Sequence, residues 1–438
     1  MGTNSSNFIG TLDGQSLRFR VNNLPIGQIG DSNVFFGESA GLTNTTGHYN
    51  IGLGSFSLRN NTTGSQNIAN GFQSMFTNTS GSQNIANGDH SLYSNTSGKF
   101  NIASGFESMF GNTIGNNNIG IGANSLYTST SGNFNIALGL NSMYSNTSGS
   151  RNFAAGENSL YSNTTGQYNV AAGHQALFSN TIGNSNIATG VSSLYNNISG
   201  NNNVAIGTDA LKGNTTGHFN VASGLSSLSS STTARGNTAT GAFSLMTNTT
   251  GEYNTAIGYG ADVTSGNFTN STAIGNLAKV NASNKIVLGN TSITSIQGQV
   301  GFTTFSDARV KNNVQENVPG ISFISALRPV TYNYDVRKEN ALLGIADDDA
   351  GLVEGKYDVE QIKFCGFIAQ EVEQAANELN YEFSGIDKSN EVMGLRYADF
   401  VPSLVKAVQE QQQLIEQQQQ QIQQLMQRLE QLEQAQQD

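Results

Sequence analysis

Side chains capable of chemistry are few in this 438-residue chain, and most are badly placed for it. Cys365 is the only cysteine, which excludes an intrachain disulfide. It lies in the apolar run Ile362-Lys363-Phe364-Cys365-Gly366-Phe367-Ile368 and reads as a small buried residue. The histidines His48, His90, His174 and His218 are scattered singly, and only His48 and His218 share a phase in the repeats described below. Two so far apart cannot grip one ion, so they read as surface residues and no metal is expected. Aspartate is equally sparse in the repeats, which removes a calcium-binding array. Asp347-Asp348-Asp349 reads as a solvated loop, and no cofactor is expected. The remaining stretch is Phe305-Ser306-Asp307-Ala308-Arg309-Val310-Lys311. Taken alone, Ser306-Asp307 is a helix N-cap followed by a solvated lysine.

That stretch is a seam between two kinds of sequence. From Asn33 the chain keeps a 17-residue period, with the phrase Asn-(Ile/Val)-Ala-x-Gly or a variant beginning at Asn33, Asn50, Asn67 and every seventeenth residue to Asn254. Ser271-Thr272-Ala273-Ile274-Gly275 keeps the phase with Ser for Asn. A long helix would need a 3.6-residue period and few glycines, and neither is present. Leu or Met follows the glycine by four residues, and most copies then carry Asn-Thr-(Thr/Ser)-Gly. Gly supplies positive φ, while Asn and Thr bond nearby backbone. Each copy thus reads as two short strand-like pieces and two turns, one coil of a parallel β-solenoid that buries its faces only by stacking. Fifteen coils at ~4.8 Å make a rod of roughly 70 Å. Its core is thin, and several chains are expected to share the interior.

One residue past the Leu/Met stands an aromatic column: Phe76, Tyr93, Phe110, Tyr127, Tyr144, Tyr161, Phe178 and Tyr195. Strand neighbours point to opposite faces, so these rings face solvent or another subunit. Ladder packing between coils or chains is the plain reading, and a stacking surface for glycans the sharper one. Lys212 and Ser229 end the column.

Charge is placed unevenly. Of the net −11, residues 33–305 contribute nothing, with seven basic and seven acidic side chains, and residues 306–438 carry 11 basic against 22 acidic. Neither part has the basic footprint that a phosphate backbone needs, so nucleic acid is not an expected partner. No window approaches a membrane span. Met1-Gly2-Thr3-Asn4-Ser5-Ser6-Asn7 has no charged or apolar signal region. That fits a virion part made without a cleaved signal, or a chain from which one was removed. Residues 1–32 alternate at Leu17-Arg18-Phe19-Arg20-Val21 between turn dipeptides and read as a β cap or attachment segment, joining a virion tail, a baseplate or another fibre protein. Asn284–Asn290 and Thr291–Phe305 read as strands and turns of a neck.

The repeats resemble the left-handed β-roll head of trimeric autotransporter adhesins over 33–275, on Asn-x-Ala-x-Gly followed by Ser-Leu. Ser306-Asp307-Ala308-Arg309-Val310-Lys311 with Asn313-Val314 resembles the opening of the endosialidase-type intramolecular chaperones, the self-cleaving C-terminal domains of phage tail spikes and fibres. Leu327-Arg328-Pro329-Val330-Thr331-Tyr332, Gly366-Phe367-Ile368-Ala369-Gln370-Glu371-Val372 and Tyr397-Ala398-Asp399-Phe400-Val401 follow in the family's order. The resemblance implies that Ser306 is a nucleophile attacking the Phe305–Ser306 bond, with Lys311 as general base. A serine hydroxyl needs a neighbour to take its proton, and lysine does so only when neutral, hence buried. Spacing i to i+5 does not align on a helix face, so the two must meet across a turn or between subunits. Asp307 and Arg309 are expected to hold the loop.

The last helix runs from about Tyr397. Val401, Val408, Ile415, Ile422 and Leu429 recur every seven residues, with Leu404, Gln411, Gln418, Leu425 and Leu432 as the second seam. The Val/Ile-plus-Leu pattern leans to a dimer, whereas the resemblance and the shared core lean to a homotrimer. The expected architecture is mainly β: an N-terminal segment 1–32, a trimeric β-roll shaft 33–275, a neck 276–305, an α+β chaperone and autoprotease domain 306–400, and a coiled coil 401–438. The expected function is a homotrimeric fibre or adhesin, virion-borne or on a cell surface, that meets a glycan or receptor. Its alternatives are a bacterial adhesin retaining its C-terminal domain and a glycan- or ice-binding solenoid.

Overall fold

The computed structural model describes residues 9–30, 32–344, 356–388 and 392–435. The chain forms two compact units, Met1–Gly289 and Asn290–Asp438. The first is a parallel β-solenoid of about 15 turns. Each turn gives one three-residue strand, such as Ile68–Asn70 or Ile85–Asn87, and successive strands pair in register at the 17-residue offset into an eighteen-stranded sheet.

The strand is short because it carries only the Ile-Ala-x part of the repeat. Ala points inward and is fully buried in coil after coil, while its neighbours face outward. The Ser-Leu-aromatic stretch, expected to be a second strand, is instead a tight turn. Leu92 has φ 49°, and the same coil places Gln83 and His90 at φ 62° and 56°. These left-handed positions fold a 17-residue coil back on itself at a conformational cost that packing must offset. Gly88 (φ +143°) is forced, since a Cβ there would lie 2.3 Å from the Gly105 carbonyl of the next coil.

The expectation of an interior shared among chains needs correcting, because one chain fills its own. Ala, Leu/Met and Asn columns reach 0% exposure within a single polypeptide. Two hydrogen-bonded asparagine ladders do what the thin aliphatic layer cannot. In the first, Asn84 donates from its backbone N and its Nδ2 to Asn67 Oδ1 (3.1 and 3.2 Å), and Nδ2 also reaches Gly98 O at 2.9 Å. In the second, Asn78 Nδ2 donates to Asn61 Oδ1 and Asn95 Nδ2 to Asn78 Oδ1, both at 2.7 Å. Buried amides are tolerated where the coil beside them supplies hydrogen-bond partners, as it does along most of both ladders.

Both ends of the sheet depart from the repeat. β1 (Leu17–Val21) and β2 (Leu24–Gly30) form a hairpin through Asn22 and Asn23, both at positive φ. β2 then pairs antiparallel with β3 (Asn33–Phe36), covering the edge of the first coil. At the other end Thr272–Ile274 pairs with Ile286–Leu288, an offset of 14 residues where 17 was the rule. There Asp262–Val263 pairs with Lys279–Val280 in a separate two-stranded sheet. Thr291–Phe305, read as neck strands, contains no strand.

The second unit is small and mixed. It contains α1 (Ile321–Ile324), α2 (Val336–Leu342), α3 (Ala369–Glu378) and the long α4 (Val401–Ala435). Val330–Tyr332 pairs antiparallel with Phe364–Gly366. Phe323, Val372, Phe383 and Phe400 form its core.

Candidate functional site

Around Ser306 the local structure follows from Asp307. Its carboxylate caps a short 3-10 turn over Ala308–Val310, with Oδ1 accepting from Arg309 N at 2.8 Å. The Arg309 guanidinium grips the same carboxylate through Nε (3.0 and 3.1 Å) and Nη2 (2.6 Å). That pairing holds the Asp307 carboxyl below the usual carboxylate range. Lys311 N closes the turn on Ala308 O at 3.2 Å. The turn brings Lys311 back beside Ser306, where Nζ donates to Oγ at 2.7 Å. Ser306, Lys311 and the preceding Phe305 are all exposed in the single chain. The arrangement therefore couples a hydroxyl to an amine across one turn, and the amine remains in solvent.

The body behind this loop is tied together over long sequence separations. Glu410 on α4 accepts from Ile321 N at 2.8 Å, supplying the N-terminal partner that Gly320 lacks. No local signal marks that contact, since the residues are 89 positions apart. Arg328 pairs with Glu371 across the sheet–helix junction. On α4, Ser403 and Ala407 are buried, whereas Val401, Val408, Ile415, Ile422 and Leu429 stay exposed along the helix. Leu404, Leu425 and Leu432 share that exposure.

Cys365 was expected inside but is exposed, because it faces outward from the two-stranded Val330–Tyr332/Phe364–Gly366 sheet. Asp347-Asp348-Asp349 lie outside the described residues. Among the described residues no group of three or more His, Cys, Asp or Glu could hold a metal ion, and no helix is long and apolar enough to cross a membrane.

The eight aromatic side chains from Phe76 to Tyr195 form one continuous column on the shaft. Adjacent centroids are 4.9–5.3 Å apart and the rings are tilted by only 2–12°. Each inner ring therefore spends both faces on its neighbours, and the Arg59 guanidinium lies over Phe76 at the end of the column. Ring edges remain for solvent. That geometry favours the coil-to-coil packing reading.

The chain thus combines a parallel β-solenoid with a small mixed domain whose long last helix keeps a row of exposed apolar side chains. Residues 306–381 match the family model described as chaperone of endosialidase, which begins at Ser306 itself. No curated protein matches the chain.

Proposed function

We propose that the chain is a homotrimeric fibre- or adhesin-type protein whose C-terminal domain aligns three chains and then cuts itself away at Phe305–Ser306. One observation carries the cleavage: Lys311 Nζ meets Ser306 Oγ at 2.7 Å at the first residue of the family match. In the cut, Ser306 Oγ attacks the Phe305 carbonyl carbon as neutral Lys311 accepts the hydroxyl proton. The carbon–nitrogen bond breaks, the nitrogen takes the proton, and Phe305 is left as an ester on Ser306. One water then hydrolyses the ester, leaving a carboxylate on Phe305 and the free hydroxyl and amine of Ser306.

A neutral lysine requires a drier setting than a single chain provides. Neighbouring chains supply it, so cutting waits for assembly. Alignment needs such a device because slipping identical chains by one whole 17-residue coil costs little. Cutting afterwards makes the assembly slow to reverse. The shaft then serves attachment, through residues 1–32 to a virion tail or similar base and through its free surface to a receptor or glycan.

Intact-mass measurement of the purified protein tests the cleavage. Wild type yields pieces of 305 and 133 residues, which follow from cutting 438 residues after Phe305. Ser306→Ala and Lys311→Ala stay whole. A wild-type trimer that remains whole removes the peptidase role.

A further inference from the structure

We infer that a row of exposed aromatic rings along one corner of the shaft is a binding track for an extended polysaccharide, with Phe100, Phe134 and Tyr168 at its centre. The inference rests on the attachment role proposed above and names its ligand class and its residues.

The row stands one residue before the asparagine that opens each repeat. It holds Tyr49, Phe100, Phe134, Tyr168, Phe219 and Tyr253, each between 51% and 66% exposed. No two fall on adjacent coils, so their faces are not spent on one another as those of Phe76 to Tyr195 are. Phe100, Phe134 and Tyr168 recur on alternate coils, ~9.6 Å apart along the rod. All six backbones are left-handed, at φ 58–61°. Asn and Gly bear that conformation at least cost, and both occur at this position, as Asn117, Asn202 and Gly236. A bulky ring there gains neither backbone ease nor full burial, so the folding of one chain does not call for it.

The side chains between the rings point to the ligand. On intervening coils the same position holds Gln66, Gln83, Asn117, Ser185 and Asn202, which both donate and accept hydrogen bonds. Rings alternating with amides and hydroxyls match a sugar chain, whose pyranoses offer C–H faces for stacking and a rim of hydroxyls. Two residues of an extended chain span about the height of two coils, so every second sugar would meet a ring from Phe100 to Tyr168. A protein partner would favour a contiguous apolar patch instead. Bases also stack on aromatic rings, but a nucleic-acid strand needs a basic groove, and from Tyr49 to Asn270 this position holds one cation, Arg151. Arg151 shows that these rings accept a stacked partner: its guanidinium lies 5.7 Å from the Phe134 centroid and 5.4 Å from that of Tyr168.

The test is native electrophoresis of the full-length protein in gels cast with hydroxyethylcellulose, a neutral β-1,4-linked chain, or with alginate, an acidic one. Stacking reads the sugar backbone, so wild type should be retarded in at least one of the two. The triple variant Phe100→Ala, Phe134→Ala, Tyr168→Ala should lose the retardation, and Thr165→Ala, in an exposed turn elsewhere on the coil, should keep it. Circular dichroism reports whether the solenoid is intact, and sedimentation of the same samples reports assembly. Retardation that survives in the triple variant overturns this track and leaves attachment through another surface standing. No retardation of wild type in either gel overturns the polysaccharide, and a trimer in the same sample leaves the proposed assembly standing. A triple variant that loses its partners along with its retardation assigns the rings to contact between copies and overturns the track.

Discussion

Lys311 Nζ and Ser306 Oγ meet at 2.7 Å although five positions separate them, because a 3-10 turn capped by Asp307 folds the chain back between them. The turn positions the amine, and Asp307 and Arg309 hold the turn without touching the hydroxyl.

Asp307→Ala should therefore slow self-cleavage without abolishing it. Removing the cap and the Arg309 clamp lets Lys311 wander, and a misplacement of ~1 Å can cost up to about 100-fold. A time course of fragment appearance by mass spectrometry, alongside Ser306→Ala, measures it. Asp307→Ala cleaving at the wild-type rate would show that the clamp is irrelevant to the chemistry.

The second asparagine ladder breaks twice, and repairing it should stabilise the shaft. At Ser129 and Ser231 the side chain is too short to continue the ladder. Asn112 Oδ1 and Asn214 Oδ1 are left without partners, as are both serine hydroxyls. Ser129→Asn should restore the Asn112 contact and gain about 1 kcal/mol. Ser129→Ala tests the converse, since it removes only the orphaned hydroxyl. Denaturant unfolding that ranks Ser129→Asn below wild type would contradict the ladder's role.

The far end of the solenoid should respond to pH. Asp262 occupies a position that is Leu or Met in earlier coils and is almost fully buried, paired with Lys279 at 3.5 Å. Burial raises its carboxyl above the usual range, outweighing the pull of Lys279 and of the donors Thr247 N and Val263 N. The folded chain thus holds this proton at a higher pH than the unfolded chain does. Its contribution to stability is complete below the ordinary carboxylate pKa and is lost as pH rises through the raised value. Asp262→Asn should flatten that part of the melting profile. An unchanged profile would mean that the carboxyl does not titrate with unfolding.

The repeat was the most legible feature of the sequence, since a strict period and inward Ala fix one strand per coil. The fate of Ser-Leu-aromatic was not legible. Alternation suggested a strand, and only packing between coils can force Leu92 into a left-handed turn. Nor was the interior, where the Asn of Asn-Thr-(Thr/Ser)-Gly looked like turn chemistry although the amides of Asn61 and Asn78 bond from coil to coil inside it. In the second unit the order of blocks was readable from 306 onward. Glu410 on Ile321 N was not, because contacts over such separations leave no local pattern. Cys365 misled for a related reason, because a strand in a two-stranded sheet keeps one face open.

The central claim is that the C-terminal unit joins three chains. Sedimentation equilibrium of the full-length Ser306→Ala chain, with Val408→Asp, Ile415→Asp and Ile422→Asp added in a second sample, tests it most directly. The account predicts three times the 46.3 kDa chain mass for the first sample and one chain mass for the second. A folded first sample sedimenting as one 46.3 kDa chain would contradict it.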